Sequence, residues 1–236
     1  VRFVMHRGLR VVLVDLGGTL MVEEESSEEL SKEIAEELGL RPAPSYSKVY
    51  RGYGLRFASL CEASLEAAAY YYAARSNEGK VDPRRARRVY EDLVGVLARS
   101  LRPLPGAKEA LRELSGLVDR VVVVSNASSQ EAVEEALEMQ GFMEYVDAVV
   151  ASRLVGVRKP DPRIFLYALG LVGAMPDEAI HIGDRGYEDV FGAKNLGIRA
   201  IHIARDEPPS PIADAVVSSV EEVPEAITRL MEGRTD

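Results

Sequence analysis

The chain has 236 residues, 47% of them hydrophobic and 28% charged, and a formal net charge of -9 at pH 7. That length supports a sizeable core, as one large domain or as one domain carrying an insertion. No apolar run approaches the ~20 residues that span a bilayer, the acidic balance disfavours nucleic acid as a partner, and the lone Cys61 excludes an internal disulfide or a cysteine-based zinc centre.

At the start of the chain, Arg2, Arg7 and Arg10 precede the apolar residues Val11 to Val14. This run is shorter than a signal-peptide core and ends on Asp15, so a cytoplasmic protein is expected. Valine- and isoleucine-rich runs recur at 11–14, 121–124, 146–150, 179–182, 200–203 and 215–217, as suits buried parallel strands. From residue 104 they alternate with amphipathic segments near 106–117, 128–140, 162–171 and 187–196. This is the βαβ rhythm of an α/β, doubly wound, mainly parallel sheet, a Rossmann-like core. Ser128 with Glu131 forms a capping box, Gly141 a helix stop, and Asp161 with Pro162 an N-cap and first-turn pair.

Residues 21–103 break the rhythm. No strand-like run is seen there, and the segment reads as three or four helices, the first opened by Ser26 and Glu29 and the last by Asp82 and Pro83. Some eighty residues is too long for a structureless connection, so a smaller all-helical domain is expected at 21–103, beside a core formed by 1–20 and 104–236. The basic cluster Arg84, Arg85, Arg87 and Arg88 falls behind that N-cap and reads as a solvated helix face.

Four strand ends carry chemistry-bearing residues. Asp15 is followed by Gly17, Gly18 and Thr19, which permit a tight turn. Ser125 and Asn126 follow the second strand, where a hydroxyl suits a phosphoryl oxygen. Lys159 is flanked by Pro160 and Pro162, which stiffen the backbone and aim the ammonium at an anion. Asp184 and Asp189 follow another strand and offer oxygen ligands suited to Mg2+.

Taken in order, these segments resemble the haloacid dehalogenase-like hydrolase superfamily, and residues 21–103 resemble the helical cap that many members insert after the first of them. The resemblance implies that Asp15 is the nucleophile of an aspartyl-phosphate pathway. Ser125 and Lys159 would hold the transferring phosphoryl group, with Gly18, Thr19 and Asn126 binding substrate. Asp15, the Gly17 carbonyl, Asp184 and Asp189 would hold Mg2+. The implied ligand is a small phosphorylated metabolite, with neither nucleic acid nor membrane as partner; nothing in the sequence specifies an oligomeric state.

One departure matters. Phosphatases of the family normally carry a second Asp two residues after the nucleophile, and here that residue is Gly17. A positioned proton donor contributes about 10²–10⁴-fold in rate, so turnover is expected to be slowed or steered to good leaving groups, unless an acid comes from the cap or from Glu23 to Glu25. A phosphonatase-like hydrolase using Lys32, Lys48 or Lys80, a 2-haloacid dehalogenase-like hydrolase, and a catalytically weak phosphoryl-ligand binding module are the other readings.

Overall fold

The computed structural model describes residues 8–24, 27–40 and 64–233. Its centre is a sheet of six parallel strands: β1 Val11–Val14, β4 Arg120–Ser125, β5 Ala148–Ala151, β6 Ala179–Gly183, β7 Arg199–Ile203 and β8 Ala215–Val217, in the order β5-β4-β1-β6-β7-β8. Strand β1 pairs Leu13 with Val122 on one side and with His181 on the other. From β1 the chain first winds outward through β4 and β5, then crosses back to β6. That reversal opens a crevice at the carboxyl ends of the central strands, where α/β proteins bind ligands.

Both sheet faces are covered, which explains why the strands read as unbroken apolar runs. The side-chain period of two sorts each run between the faces. Val12, Val14, Val121, Val123, Ile180 and Ile182 pack against helices Ala107–Leu117 and Gln130–Met139 through Leu111, Leu114, Val133 and Leu137. Val11, Leu13, Val122 and Val124 pack on the opposite face against Ile164, Phe165 and Leu169 of helix Pro162–Leu171.

Helices Ser27–Glu37, Leu65–Arg75 and Pro83–Ser100 form a third cluster around Leu65, Tyr72, Val89 and Leu93, which reaches the core through Ala132. Asp82 opens the long helix by accepting from the Arg84 and Arg85 amides (2.9 and 3.4 Å), with Pro83 in its first turn. Two expectations are corrected. The segment 21–103 is not free of strands: β2 Met21–Glu23 and β3 Leu101–Pro103 pair antiparallel, forming the stem by which the chain leaves and re-enters the core. The helix after β4 is capped by Ser129 rather than Ser128, because the Ser129 hydroxyl reaches the Ala132 amide (3.1 Å) and Glu131 turns instead to the Tyr90 hydroxyl (2.6 Å). The expected cap at Ser26 lies outside the described residues, as do Lys48 and Glu25.

Leu111 is fully buried between sheet and helix. Leu111→Ala is therefore expected to cost about 2–5 kcal/mol, measured by chemical denaturation.

Candidate active site

The crevice holds one buried cation. Lys159 follows the turn Ser152–Val155, and its ammonium donates to Asp15 Oδ1 (2.5 Å), Asp189 Oδ1 (2.6 Å) and the Val124 carbonyl (2.8 Å). All three ammonium hydrogens are thus engaged, tying the ends of β1 and β4 to the segment after β6. Asn126 fixes the lysine backbone: its Oδ1 accepts from the Lys159 amide (2.7 Å) and its Nδ2 donates to the Lys159 carbonyl (3.2 Å). Both ends of the Asn126 amide, expected to meet substrate, bond the Lys159 backbone.

Asp15 extends β1 by one residue, its amide bonding the Ile182 carbonyl (2.9 Å). Leu16 to Met21 then turn tightly, with the Leu20 and Met21 amides both reaching the Leu16 carbonyl at 2.9 Å. Gly18 sits at φ +78°, and a Cβ there would lie 2.2 Å from Asp184 Oδ2, so only glycine lets the turn approach that carboxylate. Gly17 differs: its φ is ordinary and nothing lies within 4 Å of the place a Cβ would take. Thr19 is fully buried and its hydroxyl has no partner. Ser125 ends β4, also buried.

Asp184 follows β6, and Asp189 lies in a wide helical turn, Gly186–Phe191, where the sequence suggested an ordinary helix. Gly183 has no room for a side chain, since a Cβ would meet the Asp189 carboxylate at 2.2 Å. Asp189 accepts on both oxygens: from Lys159 and His181 Nε2 (2.9 Å) on Oδ1, and from the Arg185 amide (3.0 Å) on Oδ2. Burial holds the His181 ring below the usual imidazole range, and the ring is set edge-on to Phe165 at 5.1 Å.

Electrostatics follow from this packing. Burial pushes the Asp15 carboxyl up to about 7 against the pull of Lys159, and the neighbouring Asp189 charge adds to the rise. Burial and Asp189 push Asp184 up to about 6. For Asp189 itself burial acts the same way, but Lys159 and His181 outweigh it and hold the carboxyl well below the usual range. Burial also opposes the Lys159 charge, yet Asp15 and Asp189 raise that ammonium above an ordinary lysine.

Oxygen atoms of Asp15, Asp184 and Asp189 lie within 4.8 Å of one another. With Lys159 charged and all three ionised, the cluster carries two uncompensated negative charges, and Asp184 Oδ1 is buried without a partner. An all-oxygen donor set of that charge fits a hard divalent cation such as Mg2+.

A parallel α/β sheet with a carboxylate and lysine cluster at its carboxyl edge defines a class of hydrolytic core. Residues 9–197 match the family model described as haloacid dehalogenase-like hydrolase, and the chain belongs to that family. It is 38% identical over 103 residues to a glyceraldehyde 3-phosphate phosphatase of Pyrococcus furiosus, covering 43% of this chain and 42% of that protein. Over 144 residues it is 31% identical to pyrimidine 5'-nucleotidase YjjG of Escherichia coli, covering 59% and 63%. The match thus spans less than two thirds of either relative's length. Among solved structures, a HAD phosphatase from Thermococcus onnurineus superposes with a TM-score of 0.66 at 23% identity, covering 93% of this chain and 98% of that one. A 2-haloacid dehalogenase from Pseudomonas syringae gives 0.69 at 18% identity, covering 94% and 99%. Likeness at these identities shows a shared fold.

The motifs did not reveal what stands behind Asp184. His202 on β7, with Arg205 and Glu207 in the following loop, bonds the segments of Asp184 and Gly18. The one signal was a histidine inside the apolar run Ile201–Ile203.

Glycine substitutions separate the two loop positions. Gly17→Ala is expected to leave the melting temperature within about 2 °C, whereas Gly18→Ala displaces Asp184 and removes any Mg2+-dependent rise in Tm; thermal melts with and without Mg2+ check both. Asp184→Asn is expected to raise the metal-free Tm, since it deletes a carboxylate whose charged form is disfavoured, and to abolish the Mg2+-dependent rise.

Proposed function

We propose that the protein is a Mg2+-dependent phosphatase of small phosphorylated metabolites, working through an aspartyl phosphate on Asp15. The observation that carries this reading is the convergence of Asp15, Asp184 and Asp189 around the Lys159 ammonium at the carboxyl edge of the sheet. The phosphatase names of its relatives support the substrate class. In this reading residues 1–20 and 104–236 are the catalytic core, 21–103 the cap on its β-ribbon stem, and the site is cytoplasmic.

Asp15, Asp184 and Asp189, with the Gly17 carbonyl, would hold Mg2+, which when bound supplies positive charge against the anionic phosphoryl oxygens. Asp15 attacks phosphorus: its carboxylate forms the new P–O bond while the bond to the leaving oxygen breaks, splitting one hard displacement into two easier ones. Lys159 holds Asp15 in place and offsets charge on the transferring group, and the Ser125 hydroxyl donates to one of its oxygens. Water then attacks phosphorus in the acyl phosphate: the new P–O bond forms as the bond from phosphorus to the Asp15 oxygen breaks, the Asp15 carboxylate is restored, and the water protons leave with inorganic phosphate. Asn126 serves by orienting Lys159, and the buried Thr19 hydroxyl, which has no partner of its own, is left free to donate toward substrate.

Gly17 has no proton to give the leaving oxygen. Glu24 does not replace it in this arrangement, because its carboxylate pairs with Arg102 on the β-ribbon (2.8 Å). The Lys80 side chain is 75% exposed beside Glu78, which disfavours it as a buried Schiff-base lysine. The enzyme therefore prefers phosphates whose leaving group departs without protonation, such as acyl or aryl phosphates.

Asp15→Asn is expected to abolish Mg2+-dependent phosphate release from nitrophenyl and acetyl phosphate; turnover persisting in that variant excludes the aspartyl-phosphate route. Gly17→Asp, for which the loop has room, is expected to raise kcat on alkyl phosphates toward the ~10²–10⁴-fold worth of a placed acid and to change acetyl phosphate little. A folded, Mg2+-binding Gly17→Asp enzyme with unchanged alkyl turnover counts against the missing acid as the limit.

A further inference from the structure

Asp184 and Asp189 are held in opposite ways. Asp189 has donors on both oxygens, so its carboxylate is fixed by its own bonds. Asp184 lies in the contact region of Gly18 and leaves Oδ1 without a partner. Its direction must come from the backbone that carries it. That backbone is gripped from behind: His202, fully buried on β7, places Nε2 3.1 Å from the Asp184 carbonyl and Nδ1 3.0 Å from the Ser210 amide. A backbone N–H only donates and a carbonyl only accepts, so the ring has one consistent arrangement, lone pair on Nδ1 and proton on Nε2. Glu207 reinforces the grip, Oε2 accepting from the Gly186 amide (2.9 Å) and Oε1 pairing with Arg185 (2.9 Å). Arg205 adds a bond to the Gly18 carbonyl (3.1 Å), bracing the facing turn.

We propose that His202 is a positioning residue for Asp184: the Ser210 amide sets the tautomer, and the resulting Nε2–H fixes the Asp184 peptide so that the carboxylate, with its unpartnered Oδ1, faces Asp15. This rests on the reading of the carboxylate cluster as a Mg2+ site. It assigns the loop 204–214, which carries none of the motif residues, a part in metal affinity. Ligands oriented by a bonded partner bind metal more tightly because less ordering is required on binding.

The test uses the full chain, stripped of metal with a chelator, and reads the Mg2+ dissociation constant from the dependence of Tm on Mg2+. Wild-type protein comes first: a Tm indifferent to Mg2+ refutes the metal site itself, and the His202 role with it. Asn can reproduce the Nδ1 acceptor but stops short of the Asp184 carbonyl, whereas Gln extends an N–H to the Nε2 position. His202→Asn is expected to weaken Mg2+ binding about 10–100-fold and His202→Gln no more than about threefold, while both lower the metal-free Tm. A role in folding alone gives the opposite signature, equal loss of Tm with equal Mg2+ affinity, and overturns the proposal, as does equal weakening by both variants. Should either fail to fold, Ser210→Pro removes the amide donor and leaves the imidazole in place. Weakened Mg2+ binding in that variant supports the proposal, and an unchanged dissociation constant overturns it.

Discussion

A single buried ammonium organises the site. Lys159 spends its three hydrogens on Asp15, Asp189 and the Val124 carbonyl, so the ends of three elements far apart in sequence are pinned to one point. Burying a lysine is costly unless the charge is paired and hydrogen-bonded. Here the two carboxylates and the lysine offset one another's cost of burial. Asn126 secures the arrangement by clasping the lysine backbone from both sides.

The constraint also sets the chemistry. One cation stands against three carboxylates; burial above all, with the Asp189 charge adding to it, pushes Asp15 and Asp184 up to about 7 and 6, while Asp189 keeps its charge beside Lys159 and His181. A divalent cation bound among these carboxylates would offset that excess of negative charge. Steric detail follows from the same crowding: Gly18 and Gly183 are glycines because a Cβ at either would collide with a carboxylate. Gly17, by contrast, faces open space, so packing does not account for its lack of a side chain.

The fold of the core was legible in the sequence because sheets buried on both faces leave an unambiguous mark. Runs such as Val121 to Val124 have no polar alternation, and each ends at a residue that cannot stay in an apolar layer: Asp15, Ser125, Asp184. The β2–β3 ribbon was not legible. Its strands are three residues long and half-exposed, and Met21 to Glu23 acquire strand character only by pairing with Leu101 to Pro103 about eighty residues later. The cap of the helix after β4 shifted for a similar reason, since Tyr90, from a distant helix, claimed the Glu131 carboxylate that a capping box needs.

By itself, then, the sequence determined the parallel core, the order of its chemistry-bearing residues and the substitution at Gly17, because these depend on local periodicity and on residue identity at strand ends. Tertiary structure decided what each residue does there. It turned Asn126 inward onto Lys159, set the hydrogen-bonded Asp189 apart from Asp184 with its unpartnered Oδ1, and placed His202 behind a carbonyl eighteen residues away in sequence. Those assignments depend on which donors and acceptors meet in space. Hydrogen-bond partners brought together by the sheet's parallel order leave no periodic trace along the chain.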